Sequence, residues 1–279
     1  MKRLAFGSAA IIALNMAGSA LAADMAVKAP VLKAPPPVMA YSWAGCYVGG
    51  TLGAVRGRSS FTWTGITESA VAFATSAATA LPAAANARLS DTGVTGGGEI
   101  GCNFQSGSFV YGVEGDWEYT GLSANRTATS LGLGNGGNPA IVPGAITESW
   151  RSSWLATMRG RAGFAADRLY FYGTGGLALA NVRYFDQNCF GVLAAVPGCN
   201  TATSSNTRAG WVAGGGIEWA VSGNWSLKGE YLFADLGKTT NTSLYVATAG
   251  GGNPFPQAFI THNHHLTESI LRAGLNYKF

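Results

Sequence analysis

The feature that most constrains this chain is a rhythm. From Trp43 onward, eight stretches of alternating apolar and polar residues follow one another, and the connections between them are short and long by turns. A period of two is the side-chain period of a β-strand. The stretches are Trp43 to Arg56, Asp91 to Phe104, Phe109 to Thr120, Glu148 to Ala165, Leu169 to Phe185, Thr207 to Val221, Trp225 to Gly237 and Leu266 to Phe279. Tight turns at Gln105–Ser108, Ala166–Arg168 and Ser222–Asn224 join the second to the third, the fourth to the fifth and the sixth to the seventh. Longer segments rich in Ala, Ser, Thr, Gly and Asn make the other four connections. A soluble sandwich gives no reason for every second connection to be long, and long structureless loops are uncommon in compact domains.

Composition narrows the choice. Charged residues make up only 11% of the 279 residues and glycine contributes 40, yet no apolar run after the N-terminus is long enough for a spanning helix. A soluble domain carries about 25% charged residues. A transmembrane barrel resolves both points, because its apolar residues occupy alternate positions. The expected fold class is all-β: an eight-stranded antiparallel up-and-down transmembrane β-barrel with short periplasmic turns and long extracellular loops. The formal charge is +4, and loss of Lys2 and Arg3 with a leader lowers it to +2, which argues against a nucleic-acid partner.

The N-terminus reads as an export signal. Met1–Arg3 is a basic start, Leu4–Met16 a short apolar core, and Ala20–Ala22 a small-x-small site that places cleavage between Ala22 and Ala23. The expected organisation is a signal peptide over 1–22, a Pro/Ala-rich periplasmic lead-in over 23–42 and a barrel over 43–279.

Alternation also sorts the faces. The third stretch sets Phe109, Tyr111, Val113, Trp117 and Tyr119 against Glu114, Asp116 and Glu118. The fourth sets Trp150, Trp154, Ala156, Met158 and Phe164 against Arg151, Thr157, Arg159 and Arg161. The sixth sets Trp211, Ile217 and Trp219 against Arg208 and Glu218, and the seventh sets Trp225, Leu227, Tyr231 and Phe233 against Lys228 and Glu230. In the last, Leu271, Ala273, Leu275, Tyr277 and Phe279 oppose Glu268, Arg272, Gly274, Asn276 and Lys278, with Ile270 out of pattern. A charge facing lipid at mid-membrane costs about 2–4 kcal/mol, so the charged faces line the lumen. The expected lumen network is Glu114, Asp116, Arg159, Arg161, Glu218, Lys228, Glu230 and Arg272. Eight strands leave an interior that side chains fill. The alternative is an ion path through the same charges. Aromatics at stretch ends (Trp43, Tyr119, Trp150, Tyr170, Trp219, Trp225, Tyr277 and Phe279) are expected to form interfacial girdles.

Four cysteines in an exported chain point to disulfides. Antiparallel pairing of Trp43 with Phe104 brings Cys46 nearly level with Cys102, so a bridge is expected at the periplasmic end. Cys189 and Cys199 share one loop, where a second bridge closes a small extracellular lobe. The spacings fit no zinc pattern. The runs at Gly173–Gly176 and Gly214–Gly216 lack the helix and the Lys-Ser/Thr of a phosphate loop. His262, His264 and His265, with Glu268 and Ser269, are the residues from which hydrolytic or metal chemistry would be built. Alternation sends Glu268 and Ser269 to opposite faces, which breaks the simplest triad. No catalytic residue, metal or cofactor is expected.

The closing segment, Leu271–Phe279, resembles the C-terminal strand of bacterial outer-membrane barrels, in which a terminal Phe is part of the insertion signal; here Tyr277 and Phe279 hold those positions. With Trp43-Ala-Gly-Cys-Tyr-Val-Gly-Gly, Gly97-Gly-Glu-Ile-Gly-Cys-Asn-Phe, Val113-Glu-Gly-Asp-Trp, Arg159-Gly-Arg-Ala-Gly-Phe and Leu169-Tyr-Phe-Tyr-Gly-Thr-Gly-Gly, residues 43 to 279 resemble the small outer-membrane porin-family proteins of alphaproteobacteria. That is the RopB-type "outer membrane immunogenic protein" group, similar in fold to the OmpA transmembrane domain. The resemblance implies an outer-membrane location, a structural and envelope-integrity or surface-interaction role, and no enzymatic activity. A small porin-like diffusion channel for ions or small solutes is the alternative. The partners expected are outer-membrane lipids, the barrel-insertion machinery and periplasmic chaperones during assembly, and host or surface ligands at the loops. A peptidoglycan-binding domain is not expected.

Overall fold

The structure is a computed structural model, and it describes residues 41–67, 86–130, 144–190, 198–247 and 259–279. The signal-peptide and cleavage expectations, and all of the lead-in but its last two residues, lie outside the described residues. Eight strands are present: β1 Gly45–Thr67, β2 Ala87–Ser106, β3 Phe109–Ser130, β4 Gly144–Ala166, β5 Leu169–Phe190, β6 Gly198–Ser222, β7 Trp225–Ala247 and β8 Phe259–Lys278. Each pairs antiparallel with its sequence neighbour, and β1 pairs with β8 from Tyr47↔Lys278 to Thr67↔Phe259, so the sheet closes. Closure leaves no sheet edge, as spanning a bilayer with strands requires.

The strands are longer than the alternation implied, almost wholly at the loop ends. β1 continues eleven residues past Arg56, β3 ten past Thr120, β7 ten past Gly237, and β8 starts seven before Leu266. These extensions are rich in Thr, Ser, Asn and Gly, which read as loop in sequence. Here their backbone groups are held by continuing cross-strand pairs, such as Asn125↔Ser149 and Thr240↔Asn263. The barrel therefore rises beyond the roughly ten residues per strand that a bilayer crossing needs.

The short turns all put a positive φ at the first residue of a two-residue loop: Gly107 at 62°, Asp167 at 52° and Gly223 at 54°. Glycine meets that demand without a Cβ clash, and Asp is among the few other residues that tolerate it.

Outward positions carry the apolar residues. Leu52 and Val94 are each 71% exposed, Met158 70% and Leu271 66%. So much exposed apolar surface is lipid-facing wall. Two sequence expectations fail here. In β4 the pairing slips between Ser152 and Leu155, and this β-bulge shifts the parity. Trp150 consequently points inward and is buried, while Arg151 points outward and is exposed. Trp43 and Tyr170 are also buried inside the periplasmic mouth instead of in a girdle; Trp43 donates its indole N–H to the Asp167 carbonyl at 3.2 Å. Tyr119, Trp219, Trp225, Tyr277 and Phe279 do face outward.

Candidate functional site: the lumen

The lumen is stacked in layers. At the periplasmic end Trp43, Val110, Tyr170, Tyr172 and Ala220 pack together. Above them lies a charged layer. Arg159 bonds Asp116 at 2.7 Å and Glu230 at 2.9 Å, and also contacts Glu114. Arg161 bonds Glu114 at 2.9 Å and reaches Glu218, with its guanidinium over the ring of Tyr172 at 4.2 Å. Lys228 lies 3.2 Å from Glu114 and bonds Glu99. Arg272 bonds Glu230 at 2.6 Å, Asp116 at 3.2 Å, and Glu118.

All eight residues proposed from sequence for the lumen lie in this one connected cluster, with Glu99 and Glu118 in addition. Alternation sets Glu118 on the polar face of β3 without marking it as part of the network. Glu99 sits beside a glycine run that obscures its alternation, although it shares parity with the buried Thr95 and opposes the exposed Ile100. The ten residues comprise six carboxylates and four cations, all under 10% exposed. Neutral donors offset the excess of acid. Thr51 and Thr95 donate to Glu118 at 2.7 and 3.0 Å, Asn276 to Glu218 at 3.1 Å, Tyr172 to Glu230 at 3.0 Å, and Tyr47 to Glu114. Buried charges persist only when paired and hydrogen-bonded in this way.

An apolar layer covers the charges on the loop side. Val55 and Phe61 come from β1, Leu89 from β2, Leu122 from β3, and Trp150 and Leu155 from β4. Ala178 to Tyr184 come from β5, Val212 from β6, Leu232 to Leu236 from β7, and Leu266 and Ile270 from β8. Every strand contributes, so the layer crosses the whole bore. Ile270, the misfit of the last strand's alternation, belongs to it. Gly57 makes the layer possible: a Cβ there would lie 2.3 Å from the Trp150 ring.

Above that layer the lumen turns polar again. His262, His264 and His265, expected just before the last strand, lie within β8. His264 meets Asp186 at 3.0 Å and stacks on Tyr184, His262 meets Ser243 at 2.9 Å, and the Trp63 indole donates to Glu148 at 3.0 Å. His265 faces outward to Asp235 at 2.9 Å. The candidate chemistry does not converge. Among the described residues no acid meets His262 Nδ1 in the Ser243–His262 pair, and the acid found on a lumen histidine, Asp186, belongs to His264. Glu268 is buried inside, whereas Ser269 lies on the outer wall beside Tyr231. Among the described residues no three His, Cys, Asp or Glu side chains could hold a metal together.

Both cysteine pairs sit on directly opposed strand positions. Cys46↔Cys102 joins β1 to β2 near the periplasmic end, with the sulfurs 2.08 Å apart. Cys189↔Cys199 joins the loop ends of β5 and β6, with the sulfurs 2.05 Å apart. The second pair staples two paired strands and does not sit within a loop. At the terminus, Tyr277 packs its ring 5.0 Å from Trp225, and the Phe279 amide donates to the Cys46 carbonyl at 3.0 Å.

The family model described as "Outer membrane protein beta-barrel domain" matches residues 10–279. The 31 kDa outer-membrane immunogenic protein of Brucella melitensis is 31% identical over 278 residues, covering 97% of this chain and 98% of that protein. The 25 kDa outer-membrane immunogenic protein of Brucella abortus is 25% identical, covering 100% and 99%. Among solved structures, the outer membrane protein OprG of Pseudomonas aeruginosa aligns over 85% of this chain and 96% of its own at 11% identity, with a TM-score of 0.43.

Proposed function

This chain belongs to the outer membrane protein β-barrel domain family and is an outer-membrane protein, and from that premise we propose that it is a sealed barrel with a structural and surface-interaction role, neither a pore nor an enzyme. The observation that carries the reading is the apolar layer drawn from all eight strands, which stands above a charged layer cross-linked by ion pairs. An ion crossing it would shed its hydration among side chains that are mostly apolar; Glu268, between Leu266 and Ile270, and the hydroxyls of Ser59, Thr120 and Ser152 are the buried polar groups beside the layer among the described residues. The buried network then serves cohesion: it ties β2, β3, β4, β6, β7 and β8 to one another across the bore. The immunogenic naming of the Brucella relatives supports exposure of the loop ends at the cell surface. The barrel-insertion machinery and periplasmic chaperones are its proposed assembly partners.

A strain deleted for the gene tests this reading. The sealed structural role predicts increased sensitivity to detergent and large antibiotics, restored by the full chain and by a chain whose residues 68–85 and 131–143 are replaced with short linkers. Adhesion or antibody recognition is expected to return only with the full chain. Unchanged detergent sensitivity in the deletion strain, with altered uptake of small solutes, contradicts it.

A further inference from the structure

At the loop-side mouth of the lumen lies a group of polar side chains that belongs to neither the charged layer nor the apolar layer. Glu148 of β4 stands directly opposite Asp186 of β5, and Asn188 of β5 stands directly opposite Asn200 of β6. All four point inward, and none is more than 2% exposed. Asp186 and Asn188 are two apart on β5 and share its inner face, so the two rungs are neighbours. Each carboxylate is held by one oxygen. The Trp63 indole donates to Glu148 Oε1 at 3.0 Å, and His264 meets Asp186 Oδ2 at 3.0 Å. Among the described residues, Glu148 Oε2, Asp186 Oδ1, Asn188 Oδ1 and Asn200 Oδ1 have no hydrogen-bond partner, and neither does the Asn188 amide nitrogen. Arg126, part-exposed, stands 3.7 Å from Glu148 Oε2, which is beyond hydrogen-bond reach.

Four buried oxygens on adjacent rungs thus lack a donor, and two of them belong to opposed carboxylates. Like charges directly opposed destabilise a sheet, and buried charge persists only when it is paired. Water supplies hydrogen bonds but no countercharge. The group therefore calls for a cation, and its chemistry selects the kind. Two carboxylates and two carboxamides make an all-oxygen donor set, which hard divalent cations favour and zinc does not. It differs from the groups of three His, Cys, Asp or Glu that the described residues lack. Calcium accepts carboxylate and amide oxygens in irregular geometry with waters completing its shell, whereas magnesium demands a near-ideal octahedron. We propose that Glu148, Asp186, Asn188 and Asn200 form a calcium site that ties together the loop ends of β4, β5 and β6. The Cys189–Cys199 bridge lies one position away from both asparagines and fixes their strands in register. Trp63 and His264 orient the two carboxylates from behind, as outer partners of a metal site do. The site stands above the apolar layer and does not depend on that layer being sealed.

The test titrates calcium, magnesium and zinc chlorides into the refolded full chain in phosphatidylcholine nanodiscs, after EDTA treatment and dialysis. Binding heats and the thermal unfolding midpoint are read in parallel, with empty discs as the blank. Calcium is expected to bind with a Kd of about 0.1–1 mM, the range of extracellular calcium sites, and more tightly than magnesium. The unfolding midpoint should rise in step with saturation. Asp186→Asn is expected to weaken calcium by about tenfold or more, because ligand charge sets affinity. Asn188→Leu with Asn200→Leu removes two ligands together with their unpartnered amide groups. That variant is expected to be at least as heat-resistant as the calcium-free parent and blind to calcium. Asp235→Asn, on the outer wall, is expected to leave calcium binding unchanged. No calcium response up to about 10 mM, roughly tenfold above the expected range, would overturn the proposal. So would undiminished binding by either site variant in its heat-modifiable form, or tighter binding of zinc that is lost with His264→Gln. None of these outcomes alters the conductance record, so the two readings fail separately.

Discussion

Gly57 and Trp150 show how much a single position decides. Valine at 57 would drive its side chain into the Trp150 ring and Leu122, so Gly57→Val is expected to destabilise the barrel by about 1–3 kcal/mol in urea titrations in micelles. Within the charged layer, Arg159→Met would leave Glu114, Asp116 and Glu230 short of their shared cation. Its cost is expected at about 3–5 kcal/mol, and adding Glu230→Gln should recover part of it; equal stability of Arg159→Met and the parent would mean that the network is not paired as described. Asp167 holds a positive φ of 52° where the other two turns use glycine. Asp167→Gly is therefore expected to stabilise by a few tenths of a kcal/mol up to about 1 kcal/mol. Sequence alternation was a good guide to the charged layer because each of its members lies where the parity is unbroken. It inverted Trp150 and Arg151 because a bulge inserts a residue that no local composition announces.

At the scale of strands, the paired Thr/Ser/Asn-rich extensions are the main departure from what the sequence conveyed. Apart from inward residues such as Phe61 and Trp63, the extensions are largely polar on both faces and give alternation little to act on, so their pairing is legible mainly from the register that the apolar halves impose on them. Backbone amides of 122–130 and 145–150 are accordingly expected to be protected in hydrogen exchange; exchange at the rate of an unpaired peptide would contradict the extension. The Cys189–Cys199 staple belongs to this region. Replacing both cysteines by serine is expected to cost about 2–3 kcal/mol on the chain-entropy account. The loss should appear as earlier exchange at the loop ends of β5 and β6, with the charged layer unaffected.

Across the whole molecule, two opposite surfaces are built from one alternating pattern. Outward residues make a lipid-facing band, and inward residues make a bore filled by charge pairs and closed by an apolar layer. The barrel itself was readable from the turn-and-loop rhythm, because closure and membrane crossing both leave a mark at every second connection. The closed state of the bore was not, since Val55, Leu122, Leu155, Leu232 and Ile270 come together only once eight registers are fixed. Single-channel recording of the refolded, heat-modifiable chain in a planar bilayer tests that closure most directly. The account predicts no unitary steps from the parent chain, and steps that emerge when Trp150 and Leu155 are both replaced by alanine. Reproducible steps from the parent chain, shifted by Arg159→Ala and Arg161→Ala, would contradict it and make the charged layer the constriction of a pore.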